Sequence, residues 1–347
     1  MMRTMPTMRP PEPRTLALPK VLLHEHLDGS LRPGTLLELL QQRGIRPPAE
    51  DEAALAAWFE ANARAGSLTK YLEGFALTVA AMAHPLALER AACEAAEDAR
   101  AGGALLAEFR IAPLLFEAAG LDGDTAVEAL LAGLRRSPLP CGLIVCAMRQ
   151  LPVVQTMRAA ELALRWRDRG VVGFDLAGPE RGHPPSDHAE ALALLRRADL
   201  PLTLHAGEAD AAERVLEAAR LGARRIGHGV RLADALGDPA RAPLLDEARA
   251  HGLHLELCPT SNVHTGAAAS IAAHPIAALW RAGVSCSYHT DNTLMSQITL
   301  SGEAQALLDA TPLTEPDLLA MARHAARASF LGGAERAAAL SAIDAWA

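Results

Sequence analysis

Eight short apolar runs recur along the 347 residues, and longer stretches rich in Ala, Leu and Arg separate them. They are "KVLLHEH" (20–26), "ALLAEFRIA" (104–112), "CGLIVCAMR" (141–149), "VVGFDLA" (171–177), "PLTLHAGE" (201–208), "RRIGHG" (224–229), "LHLELCPTSN" (253–262) and "GVSCSYHTD" (283–291). The intervening "DHAEALALLRRA" and "AAERVLEAARLGA" carry apolar residues three and four apart, the spacing of an amphipathic helix. Strands that alternate with helices pair in parallel, and eight such units predict an α/β fold, a (β/α)8 TIM barrel. A doubly wound open sheet is the rival, but no GxGxxG follows the first strand.

The gap from residue 27 to 103 is too long for one crossover, so a helical insertion follows strand one. It includes "PGTLLELLQQRG" and the run from Leu68 to Arg100. Loops after barrel strands face the active site, so this insertion is placed to act as a lid. Residues 1–347 read as one domain, with residues 1–15 as a flexible leader. That leader has Pro and Arg but no apolar core, so no signal peptide is expected.

Composition narrows the partners. Half the residues are hydrophobic, enough for a large core, and no apolar run approaches the length of about 20 that a membrane helix needs. Aromatics make up 3%, and 33 basic against 41 acidic residues give a net charge of −8 without a basic cluster. That pattern excludes a nucleic-acid binder and a membrane protein, and favours a small-molecule partner. Five cysteines without CxxC spacing read as reduced thiols of a cytoplasmic protein.

Polar residues gather at the C-terminal ends of the strands, where barrel enzymes keep their sites. His24 and His26 close the first run and share one face, His205 closes the fifth, His228 the sixth and Asp291 the eighth. One histidine in such a run is usually a satisfied core residue; four at corresponding ends, with an acid, are not. His24, His26, His205 and Asp291 form an N/O set that suits one Zn2+ with room left for a water. Such a metal would lower the pKa of that water toward about 7. Glu208, in "HAGE", is placed as the proton shuttle, although an acid there could also serve a helix N-terminus. His228, in "GHG", accepts from or orients the water. Two-metal barrel hydrolases bridge their ions with a carboxylated lysine. Lys20 and Lys70 are the only lysines, and neither sits at a middle strand's end.

The motifs "HEHLDG", "HAGE", "GHG" and "HTD", in that order, together with "EFRIAP", "DLAGPE" and "LELCPTSN", resemble the adenosine deaminase family of metal-dependent hydrolases. The resemblance implies a barrel, one zinc and hydrolytic loss of ammonia from C6 of an adenine ring, with adenosine and 2′-deoxyadenosine as purine-salvage substrates. It implies His24, His26, His205 and Asp291 as zinc ligands, Glu208 as the acid that protonates N1, and His228 beside the attacking hydroxide. It implies contacts to the nucleoside from His26, from Asp28, on the same strand parity as His26, at the 5′-hydroxyl, and from the Gly178 backbone amide at N3. Leu68, Tyr71, Leu72 and Phe75 resemble a hydrophobic lid helix, although their spacing is also that of an ordinary buried one.

Two departures stand out. Asn292 replaces the second acid after the Thr, the group that meets N7 in the family; an amide donates there at any pH, or it caps a turn. His289 stands where an Asn is usual, and orients a ligand or fills the core. Relatives acting on adenine or on 5′-substituted adenosines such as aminofutalosine, and an inactive zinc-binding relative, are the rival readings. The oligomeric state is not legible.

Overall fold

The computed structural model describes residues 10–64 and 74–346. Its strands are β1 (Lys20–His26), β2 (Ala104–Ile111), β3 (Cys141–Met148), β4 (Val171–Ala177), β5 (Leu202–Ala206), β6 (Arg225–His228), β7 (His254–Leu257) and β8 (Ser285–Tyr288). They form one sheet in sequence order, and each pairs in parallel with the next. β8 closes on β1 through a bridge between Glu25 and Asp291. There the His26 N–H donates to Asp291 O at 2.7 Å and the Asp291 N–H to His24 O at 3.0 Å. The result is the expected barrel, with Leu22, Phe109, Phe174 and Leu204 fully buried on its strands. Among the described residues no helix is long and apolar enough to cross a membrane.

β1 and β4 span the predicted residues, whereas the last two runs are cut short. "CPTSN" leaves the sheet because Pro259 has no N–H for a ladder but suits the first turn of the helix Pro259–His264. The run at 283–291 leaves the ladder after Tyr288, so Asp291 lies beyond β8. Asp28 likewise lies past β1, in the one-turn helix Leu27–Gly29, where strand parity does not apply.

The insertion after β1 holds helices Pro33–Gln42, Glu52–Ala63, Phe75–Met82 and Pro85–Ala101. Of the expected lid stripe, Leu68, Tyr71 and Leu72 lie outside the described residues, and Phe75 opens the third of these helices. Residues 13–15, assigned to a flexible leader, instead begin the helix Pro13–Ala17. Thr15 is buried there, and its Oγ1–H donates to Gln305 Oε1 at 2.7 Å.

His289 supplies a rung that the backbone does not. The Leu23 N–H of β1 donates to its Nδ1 at 3.1 Å, and its Nε2–H donates to Ser287 Oγ at 2.7 Å. It is a hydrogen-bonded core residue at the barrel seam. Leucine at 289 would leave the Leu23 N–H buried and unpaired, a loss of about 1–3 kcal/mol. His289→Leu is therefore expected to lower the free energy of unfolding by that amount in urea titration, and an unchanged midpoint would contradict the role.

Candidate active site

His24 and His26 project from β1, His205 from β5, and Asp291 from the segment that closes the barrel. One donor atom from each lies within 4.8 Å of the others, so the structure brings these four sequence-predicted residues together. Partners on the far side of each ring set its tautomer. His24 Nδ1–H donates to Glu256 Oε2 at 3.0 Å, and His205 Nδ1–H to Asp175 Oδ1 at 3.0 Å. Both Nε2 lone pairs therefore turn inward. His24 Nε2 is buried without a hydrogen-bond partner, 3.3 Å from Asp291 Oδ1. His205 Nε2 stands 3.2 Å from His26 Nε2.

Burial and the charge of Arg110 pull His24 down to about 4, and burial holds His26 well below the usual imidazole range. Both rings are neutral, the form that ligates metal. Burial also pulls on His205, but the Asp175 carboxylate outweighs it and raises the ring's basicity, as a carboxylate behind a ligating histidine does. Burial would raise the Asp291 carboxyl, yet it lies well below the carboxylate range, with the His24 ring 3.3 Å away. Ser261 Oγ–H donates to its other oxygen at 2.5 Å. Converging lone pairs, an orphaned buried nitrogen and an anionic oxygen fit a divalent metal with N/O preference. Lys20 is committed elsewhere: its Nζ donates to the carbonyls of Thr15 and Leu18 at 2.7 Å each. Lys70 lies outside the described residues.

A cavity of about 290 Å³ opens above this cluster, lined also by Asp28, Phe75, Gly178, Glu208, His228 and Asn292. Glu208 and His228 are buried on its wall, with Glu208 Oε2 3.7 Å from His228 Nε2. Burial pushes the Glu208 carboxyl up. The turn that carries it is held by Glu180, whose Oε2 accepts from the N–H groups of Glu208, Ala209 and Asp210. Burial lifts Asp28 to about 7, and its Oδ1 has no partner. Gly178, at φ 97°, brings bare backbone to the cavity; a Cβ there would meet Gln150 Oε1 at 2.4 Å. Asn292 precedes the short helix Thr293–Ser296, yet its side chain makes no capping hydrogen bond and its Oδ1 is unpartnered. That outcome disfavours the capping alternative.

Asp175, Glu256 and Arg110 escaped the residue-by-residue reading. The signal was present as ionisable letters inside apolar runs, in "FDLA", "LELC" and "EFRIA". Two strand-end residues also carry strain: His228 at φ 63° and Asp291 at φ 61° sit in the left-handed region, at a cost on the order of 1–3 kcal/mol each.

The sequence profile of the adenosine deaminase family matches residues 19–346. An adenosine deaminase of Mycobacteroides abscessus is 43% identical over 336 residues, covering 92% of each chain. One of Mycobacterium tuberculosis is 42% identical over 332 residues, covering 90% of each. Among solved structures, an adenine deaminase of Arthrobacter aurescens superposes with a TM-score of 0.85 at 25% identity, covering 95% of this chain and 99% of its own. An Arabidopsis N6-mAMP deaminase gives 0.83 at 27%, covering 96% and 99%.

Removing the carboxylate behind a ligating histidine typically costs 10- to 100-fold in metal affinity. Asp175→Asn is expected to weaken binding of a divalent metal by about that factor, read by chelator competition; wild-type affinity would contradict the account of His205.

Proposed function

This chain belongs to the adenosine deaminase family, and we propose that it hydrolyses adenosine and 2′-deoxyadenosine to the inosine products and ammonia, in cytoplasmic purine salvage. One observation carries the reading: a buried carboxyl with a raised pKa, Glu208, shares a cavity with three imidazoles and a carboxylate that converge on one point. In this reading one Zn2+ is held by His24, His26, His205 and Asp291, and supplies the Lewis acidity that makes water nucleophilic near neutral pH.

The protein's own groups do the rest. Glu208, protonated, donates to N1 of the purine, which breaks the ring's aromaticity and leaves C6 electron-poor. The water oxygen adds to C6. One water proton returns to Glu208 and the other leaves with the amine as ammonia, so the product carries N1–H and a C6 carbonyl. His228 sits beside the incoming oxygen. The Gly178 N–H donates to N3, and Asn292 Nδ2–H to N7, which an amide does at any pH. Asp28 receives the 5′-hydroxyl. Among the described lining residues none is Lys or Arg, and an unpartnered acid waits at Asp28. That supports a nucleoside over a 5′-phosphate, which the acid would repel. Phe75, which lines the cavity, covers the base.

Because Glu208 must carry its proton, turnover is expected to fall as pH rises through its raised pKa. Loss of the adenine ultraviolet band tests the substrate directly. The metal-loaded enzyme is expected to turn over adenosine and 2′-deoxyadenosine, to bind 7-deazaadenosine more weakly, and to leave adenine and 5′-blocked adenosines largely unreacted. Preference for adenine would favour the function named for the Arthrobacter neighbour, and full metal occupancy without turnover would favour an inactive relative. Glu208→Gln is expected to keep its metal and lose about 10²–10⁴-fold in kcat; near-normal turnover would end Glu208's role.

A further inference from the structure

Behind Glu208 and His228 lies a second buried pair that does not line the cavity. His274 and Asn262 come from the segment after β7, and both are buried. The Ile276 N–H donates to His274 Nδ1 at 3.2 Å. A neutral ring has one proton, so it sits on Nε2 and donates to Asn262 Oδ1 at 3.1 Å. Burial keeps this ring neutral, at about 3. With Oδ1 fixed as the acceptor, the other branch of the Asn262 amide must be the NH2. Its two hydrogens go to Glu208 Oε1 and to His228 Nδ1, each at 3.1 Å.

Two consequences follow at the cavity wall. His228 Nδ1 is an acceptor, so the proton of its neutral ring lies on Nε2, the nitrogen that faces Glu208 Oε2. Glu208 Oε1 accepts from both Asn262 and Thr265 Oγ1, the latter at 2.8 Å, so two protein donors address this oxygen. A proton on Glu208 then belongs on Oε2. We propose that His274 and Asn262 are positioning residues: through two hydrogen bonds in series they set His228 as an Nε2–H donor and confine the Glu208 proton to Oε2. His228 then steadies the incoming oxygen by donating to it and does not accept its proton. A backbone N–H at Ile276 is the origin of this polarity, which passes through two side chains to reach the reacting groups.

The inference rests on the proposed function only for its effect on turnover; the tautomer is measurable without substrate. Long-range 1H–15N correlation spectra of the full-length, metal-loaded protein, labelled in histidine, report which nitrogen of His228 carries hydrogen. The wild type is expected to show Nε2 protonated and Nδ1 bare. Asn262→Asp replaces a donor with an acceptor, so the proton should move to Nδ1 and kcat should fall about 10- to 100-fold, with a much smaller change in KM. His274→Leu should blur the tautomer, whereas His274→Gln, which keeps an N–H toward Asn262, should retain it. A wild-type His228 protonated at Nδ1, or spectra and kcat unmoved in both Asn262→Asp and His274→Leu, would overturn the proposal. If the tautomer is as expected but adenosine is not consumed, the proposed function fails alone.

Discussion

A block of buried charge beneath the mouth of the barrel holds the site in place. Arg110 of β2 is fully buried and donates to Asp175 Oδ2 at 2.9 Å, to Glu256 Oε2 at 2.6 Å and to the Leu23 carbonyl at 2.6 Å. Arg225 of β6 pairs with Glu256 at 2.6 Å and with Glu108 at 2.7 Å. Five acidic and basic side chains from β2, β4, β6 and β7 thus form one buried ion-pair network. Removing one partner of such a set costs about 3–5 kcal/mol, because the remaining charge is stranded. Two of its acids, Asp175 and Glu256, are the groups that turn the Nε2 atoms of His205 and His24 toward a common point. The interior charge therefore orients the rings of His24 and His205 as well as filling the barrel.

The seam between β8 and β1 shows the same economy. A full ladder would need Asp291 to remain in extended backbone, with its carboxylate held in strand alternation. Instead the chain breaks after Tyr288, His289 lends a ring nitrogen to Leu23, and Asp291 turns into the left-handed region. Since Leu23 donates to His289 Nδ1, the ring's proton lies on Nε2 and donates to Ser287. Ser287 Oγ is also 2.8 Å from His254 Nε2, which extends the chain of side-chain hydrogen bonds to β7. Side chains replace main-chain bonds where the backbone is bent to aim an acid. Gly29 belongs to this arrangement: a Cβ there would lie 1.8 Å from Asn292 Oδ1, so the turn after β1 can approach only as glycine.

The barrel and the side chains that converge at its mouth were legible because both are written locally. Apolar runs with the right spacing mark strands, and polar residues that interrupt those runs mark the site, which is why His24, His26, His205, His228 and Asp291 stood out. The partners were harder. Glu256 and His24 are 232 residues apart, and nothing in "LELC" says which residue its acid will meet until the strands are in register. The end of the seventh run was also overrun: it was carried through "CPTSN", although Pro259 cannot join a ladder. Asp28 reached the cavity for a reason other than strand parity, since it rides on the turn after β1. Asn262 and His274 carried no signal of their own, because their effect depends on which hydrogen of an amide faces which ring.

The central claim, one metal at the convergence of His24, His26, His205 and Asp291, is tested most directly by anomalous diffraction at the zinc edge from crystals of the purified protein. The account predicts a single peak within bonding distance of the Nε2 atoms of His24, His26 and His205 and of an Asp291 carboxylate oxygen. Two peaks, or a peak bound by other residues in a fully active enzyme, would contradict it.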